Sequence, residues 1–430
     1  MQKKTIVATL FIALFAIQGN AEWVKITSDL PSKSAVVVSG TPGNNVMEIS
    51  ISGFEKHRVK SLAGEYYSIT SPEMTPRMEQ GTPDLPKLAL SLIIPDDGDM
   101  SLNIEPIEEL TFQNIKIAPS KGNLYRDIKP SDVPYSFGDI YSQNVYFPAN
   151  NGFLRSPFIL RDFRGQTVVL NPFSYNAVTQ TLKVISKIKV TMQHKSGSGT
   201  NLLNRTSSLQ NVDRDFASIY QNVFRNAGSY INYLPVSEDG EMLIISDASF
   251  MPAMQPFIDW KVKRGLQVSM VDAATAGSTV QQIKTFIQNY YNTHNLKYVL
   301  LVGDAQQIPT PVLSGGASDP SYGYLLGNDS YAEVFVGRFS AQTVTDVITQ
   351  VQRTVEYEML PTPGVNWYSK GICIGSDQGP GDDNEMDFQH QQVIRGKELA
   401  FTYTDVAELY DGSQGGNDMS GNPSASMLSS

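Results

Sequence analysis

The side chains able to do chemistry in this chain are mainly carboxylates on irregular stretches. Asp319-Pro-Ser-Tyr322, Gly327-Asn-Asp-Ser-Tyr331 and Glu333 form one group, and Asp377-Gln-Gly-Pro-Gly-Asp-Asp-Asn-Glu-Met-Asp387 forms a second. Crowded oxygen ligands on loops suit Ca2+, which takes roughly six to eight of them. Asp319, Asp329 and Glu333 are therefore candidate calcium ligands, with a solvated acidic loop as the equal alternative. The histidines, His57, His194, His294 and His390, show no zinc-ligand spacing. Cys373 sits inside an apolar run, 371–374, where a thiol is an inert packing residue. Neither a Gly-x-Gly-x-x-Gly nor a Gly-Lys-Ser/Thr phosphate loop is present, and no Gly-x-Ser-x-Gly elbow supports a serine hydrolase.

Two textures position these groups. From residue 22 to about 200 the chain reads as strands. Val46, Glu48 and Ser50 alternate with Met47, Ile49 and Ile51, and Ile188, Val190 and Met192 alternate with Lys187, Lys189 and Thr191. Pro and Gly breaks between short strands predict a β-sandwich over 22–200. Residues 201–239 read as a linker or processing region holding one short helix at 213–224. From residue 240, apolar strands are expected at 242–246, 266–271, 298–302, 332–336, 371–376 and 405–410, with amphipathic helices between them. That alternation predicts one parallel sheet covered on both faces. In such sheets the working site lies beyond the carboxyl ends of the strands, here Asp247, Asp304, Arg338, Asp377 and Asp411. Asp is also a preferred helix cap, so each one alone reads as a cap. The stretch 424–430 reads as a helix opening, and the expectation is an α/β domain of which 240–430 is the first part.

Lys3 and Lys4, an apolar run over 5–17 and small residues at Gly19 and Ala21 predict a signal peptide, 1–21, cut before Glu22. The run is too short to span a bilayer, which needs roughly 20 residues, so the expected location is outside the cell or on its surface. Loss of Lys3 and Lys4 takes the formal charge from -10 to -12. An acidic exported chain is a poor partner for nucleic acid or anionic membrane, both of which need a cationic footprint. The single cysteine rules out an internal disulfide within these residues.

Five segments then resemble the gingipain (C25) family of cysteine endopeptidases, in order. They are Phe257-Ile-Asp-Trp-Lys-x-x-Arg-Gly-Leu266, Tyr298-Val-Leu-Leu-Val-Gly-Asp304, Gly327-Asn-Asp-x-Tyr-x-Glu-Val-Phe-Val-Gly-Arg-Phe-Ser340, Cys373-Ile-Gly-Ser-Asp377 and Asp387-Phe-Gln-His390. The likeness is closer to the Arg-specific branch than to the Lys-specific one. The region before Gly240, with Gly81-Thr-Pro-Asp-Leu-Pro86, is similar to the family's β-sandwich propeptide. The resemblance implies a caspase-like α/β fold and peptide-bond cleavage by a Cys–His pair after Arg or Lys. It places Asp377 where the family orients its catalytic histidine, and Asp387 where Arg-specific members carry the carboxylate of the S1 pocket. It puts a calcium region at Asp319, Asp329 and Glu333. Arg126 and Arg155 become candidates for a propeptide side chain that blocks the cleft, and Arg225 for the processing site. The family's His-Gly motif and nucleophilic cysteine have no counterpart here, so the 430 residues are expected to be inactive alone. The alternatives are a non-catalytic binding or inhibitory protein, and a peptidase of a surface-secretion system.

Overall fold

The computed structural model describes residues 21–41, 43–125, 128, 130–205, 212–231, 240–314, 316–360, 362–379 and 385–411. Residues 1–20 of the expected signal peptide, 1–21, lie outside the described residues, and Ala21 opens the first strand, paired with His57.

The N-terminal region is antiparallel. Its strands are β1 (Ala21–Lys25), β2 (Ala35–Thr41), β3 (Asn44–Ser50), β4 (Gly53–Ser61), β5 (Gly64–Thr70), β6 (Pro86–Ile93), β7 (Asp99–Phe112), β8 (Gly152–Leu154), β9 (Phe158–Leu160), β10 (Phe163–Leu170), β11 (Phe173–Asn176) and β12 (Thr181–Lys195). One sheet runs β9-β10-β6, with β8 also on β10, and a second runs β11-β12-β3-β2, with β7 on β12. The inward set of each alternates as a half-buried strand requires. Met47 and Ile49 of β3, Leu88, Leu90 and Leu92 of β6, and Val190 and Met192 of β12 meet in one core. The sandwich is therefore present. A third sheet, β1-β4-β5, is added to it and sends Phe54 and Ile69 into the same core.

The stretch expected as a linker contains a docked helix, α1 (Arg214–Val223), capped by Asp213 through the amides of Asp215 and Phe216. Phe216, Ala217 and Tyr220 face the β-region and cluster with Phe158, Phe163 and Phe224. Apolar packing makes this segment part of the β-domain; residues 206–211 and 232–239 lie outside the described set.

The C-terminal region has the expected alternation: β13 (Glu241–Ser246), α2 (Gln255–Lys263), β14 (Gln267–Asp272), α3 (Val280–Thr293), β15 (Leu296–Val302), β16 (Phe335–Phe339), α4 (Val344–Met359), β17 (Lys370–Gly375), α5 (Asp387–Phe401) and β18 (Asp405–Tyr410). A parallel sheet of order β14-β13-β15-β16 is covered on both faces. Leu243, Ile245 and Leu301 turn to Ile283 and Ile287 of α3, whereas Ile244 and Val302 turn to Phe257 of α2 and Val347 of α4. Two corrections follow. β17 and β18 pair in parallel as a separate two-stranded sheet rather than continuing the first. The fourth strand starts at Phe335, not at residue 332, because Glu333 is bound into the preceding loop: its amide donates to Gly323 and its carboxylate receives the Leu325 and Leu326 amides.

Candidate functional site at the end of β17

Cys373 points inward from β17 and is buried with Val406 and Tyr410, while its neighbours Ile372 and Ile374 are both 57% exposed. Burial, then the Glu398 and Glu408 carboxylates, push its thiol pKa up. Cys373 is thus held as a neutral thiol, as its apolar run predicts.

Beyond the strand the chain is tied to the start of α5. Ser376 O accepts the Phe388 amide at 3.1 Å, and Gln378 O accepts the Asp387 amide at 2.9 Å. The Ser376 hydroxyl donates to Asp387 Oδ2 at 2.6 Å and accepts the Gln378 amide at 3.2 Å. These bonds bring Asp377 and Asp387 to one strand end, both half-buried. The intervening acidic residues 380–384 lie outside the described set. Gly375 permits the close approach, since a Cβ there would stand 2.8 Å from Phe388 Cα and 3.0 Å from its nitrogen. Gly375→Ala should therefore displace α5 and cost about 1–3 kcal/mol, as overpacking does. Amide exchange of Asp387 and Phe388 at least tenfold faster than in the parent chain is the expected readout.

The three candidate calcium ligands are not brought together. Asp319 accepts Arg338 Nε and Nη2 at 2.7 and 2.8 Å, a bidentate pair. Asp329 accepts the Tyr331 amide on one oxygen and the Ile159 amide of β9 on the other. Glu333 is fully buried, and burial raises its pKa to about 7. Among the described residues no cluster of three His, Cys, Asp or Glu has metal-binding geometry. Each of the three carboxylates takes at least one protein donor. Other strand-end carboxylates behave as caps: Asp247 receives the Ser249 amide, and Asp304 the Ala305 amide and Gln342 side chain.

The propeptide candidates separate. Arg155 is exposed and close enough to Tyr331 for its charge to act on that phenol, on the Asp329 side of the domain. Arg126 lies outside the described residues. Its flanks Leu124 and Pro130, however, line a cavity of about 570 Å3 together with Asp84, Lys121 and Glu385, two residues before Asp387. Arg225 fits a processing site poorly. Its amide donates to Ser91 O, its guanidinium to Glu73, and the next side chain, Asn226, is buried in three hydrogen bonds to Ile93 and Asn45. That peptide bond is built into the β-domain.

Comparison with known proteins now has a geometry to meet. The model of peptidase family C25 matches residues 236–426, and that of the C25 propeptide matches residues 46–224. The chain belongs to peptidase family C25. Gingipain R1 of Porphyromonas gingivalis is 38% identical over 341 residues, covering 77% of this chain and 34% of the relative. Lys-gingipain of the same organism is 23% identical over 386 residues, covering 83% and 22%. A solved complex of the pro- and mature domains of RgpB from that organism shares 30% identity at a TM-score of 0.42, covering 45% of this chain and 97% of that one. The chain thus spans about a third of the length of gingipain R1. The C25 peptidase match begins at residue 236, so the β-domain with α1 is the family's propeptide region and β13–β18 belong to its peptidase region. No helix among the described residues is long and apolar enough to cross a membrane.

The sequence shows Gly375, Ser376 and Glu385 only inside longer motifs, with no role of their own. The pattern Gly-Ser directly after a strand and before an acidic loop was the available signal for the first two.

Proposed function

We propose that this chain is the propeptide and leading part of the catalytic domain of an exported cysteine endopeptidase that cleaves after arginine. The observation that carries the reading is Asp387, fixed on the first turn of α5 by the Ser376 hydroxyl at the carboxyl end of β17. A half-buried carboxylate so placed suits bidentate pairing with a guanidinium. Asp377, on the same strand end, has the role of orienting a catalytic histidine, which lies with the nucleophilic cysteine outside these 430 residues. Attack by the thiolate on the scissile carbonyl, with the imidazole moving the proton, is ordinary nucleophilic catalysis. Cys373 is the one cysteine here and is buried, so it is not that nucleophile. Purified residues 22–430 should release no p-nitroaniline from an arginyl anilide, whereas the full-length enzyme should prefer that anilide to its lysyl analogue. Equal turnover of the two anilides would sink the arginine reading.

Arg126 and Arg155 remain the candidates for the propeptide side chain that enters the cleft, by charge complementarity to Asp387. In the full-length precursor, Arg→Ala at both positions should weaken inhibition at least tenfold, and the single variants show which side chain carries the effect. The inhibition constant of the propeptide measures both.

A further inference from the structure

The turn between β9 and β10 breaks a local rule. Leu160 pairs with Phe163, leaving Arg161 and Asp162 as a two-residue turn, and Arg161 has φ +44°. Glycine or Asn is the ordinary choice there, because an L side chain at positive φ crowds the following carbonyl. A strained residue held in place usually has its side chain in use. Arg161 leaves the β-domain and is only 9% exposed. Its Nη1 donates to Leu296 O at 2.9 Å and to Glu333 O at 2.7 Å, and its Nη2 to Asn295 Oδ1 at 3.2 Å. The rings of Phe216 and Tyr291 stand 4.8 and 5.8 Å from the guanidinium carbon.

The acceptors belong to a different part of the fold from Asp387. Asn295 and Leu296 open β15 and Glu333 precedes β16, so they gather at the amino end of the four-stranded sheet. Two are main-chain carbonyls whose position the sheet fixes. The Glu333 carboxyl stands beside them, with Oε1 buried and facing no hydrogen-bond donor. Planar geometry, three oxygens and two flanking rings favour a guanidinium over an ammonium.

We propose that the α/β domain carries a guanidinium socket, formed by the Leu296 and Glu333 carbonyls and the Asn295 side chain over Tyr291, which Arg161 fills in the precursor. The socket grips the propeptide independently of the catalytic cleft, and it does not depend on the peptidase reading. Neighbouring contacts belong to the same footprint: Phe158 stacks on Tyr331 at 4.1 Å, the Ile159 amide donates to Asp329, and fully buried Lys297 bonds Asp213 and Asp215 at 2.9 and 2.8 Å.

The test places a uniquely cleavable sequence between Ile231 and Gly240 of the whole chain, cuts it, and measures the dissociation constant of the two halves. The parent halves should stay together on size exclusion. Arg161→Gly should raise the dissociation constant at least 100-fold, and Asn295→Ala about tenfold. The double variant should be little worse than Arg161→Gly alone, as expected for two groups sharing one interaction. Glycine suits φ +44°, so slow amide exchange in β10 should persist and separate a lost grip from a lost fold. Should that exchange collapse, Arg161→Lys decides, with at least a tenfold loss expected. A dissociation constant within threefold of the parent value for Arg161→Gly with β10 intact, or for Arg161→Lys, overturns the proposal.

Discussion

Asp387→Asn in the full-length enzyme should lower kcat/KM for an arginyl substrate by roughly three orders of magnitude, about 4 kcal/mol at 1.36 kcal/mol per tenfold. The substitution is nearly isosteric, and its carbonyl oxygen can still receive the Ser376 hydroxyl that fixes Asp387 at 2.6 Å. What it removes is the negative charge. Losing one partner of a desolvated charge pair typically costs 2–5 kcal/mol, much of it the penalty of leaving the other charge unpaired. The buried guanidinium of the substrate would bear that penalty. The loss should fall mainly on KM, because the side chain at this position is gripped in ground and transition states alike. An anilide with a neutral residue before the scissile bond should react at an unchanged rate. A drop below tenfold with the arginyl substrate would remove Asp387 from the specificity pocket.

How much of this was legible depended on the range of the interaction. Strands at 242–246, 266–271 and 298–302 appeared within a residue or two of their places, because a continuous apolar run between turns is a local signal. The burial of Cys373 was likewise a local matter, whereas the closeness of Asp377 and Asp387 at one strand end depends on the bonds that tie β17 to α5. The uses of the acidic residues were not local. Asp319 is neutralised by Arg338, and Asp329 receives an amide from Ile159, 170 residues away. Spacing alone could not tell such partners from calcium. The helix at 213–224 is legible in the sequence, but its docking against Phe158 and Phe163 rests on contacts more than 50 residues apart, which a local pattern does not carry. The separation of β17 and β18 into their own sheet is a fact of strand pairing, which periodicity does not encode. Arg161 is the instructive miss. An Arg-Asp dipeptide between two apolar strands, where a turn calls for Gly or Asn, was a visible anomaly with a functional cause.

Arg164→Ala should be the most damaging single change in the propeptide region. Arg164 lies in β10 and has no exposed surface. Its guanidinium donates to five main-chain carbonyls: Asn201 at 2.8 Å, Pro95 at 2.9 Å, Asp97 at 3.0 Å, Gly98 at 2.8 Å and Thr200 at 2.8 Å. One side chain thus ties the turn after β6 to the connection after β12. The two loops meet too closely for anything larger than glycine at either contact point: Gly98 has φ +65°, and a Cβ on Gly199 would meet Gly98 O at 2.2 Å. Loops that close have few other ways to satisfy inward carbonyls, and a buried acceptor left unpaired costs about 1–3 kcal/mol. Water entering the vacated space would recover part of this, so a net loss of about 3–5 kcal/mol is expected, a large share of a domain's stability. Lysine should not rescue it, because an ammonium has three donors without the planar fork that meets five carbonyls. Hydrogen exchange at Val168 to Leu170, in the core of β10, reports the loss directly. Exchange should accelerate by at least 100-fold in both variants, while the amides of β13 and β15 in the α/β domain should change far less. Acceleration confined to Arg164→Ala, with Lys behaving as Arg, would show that only charge matters here and not the count of donors.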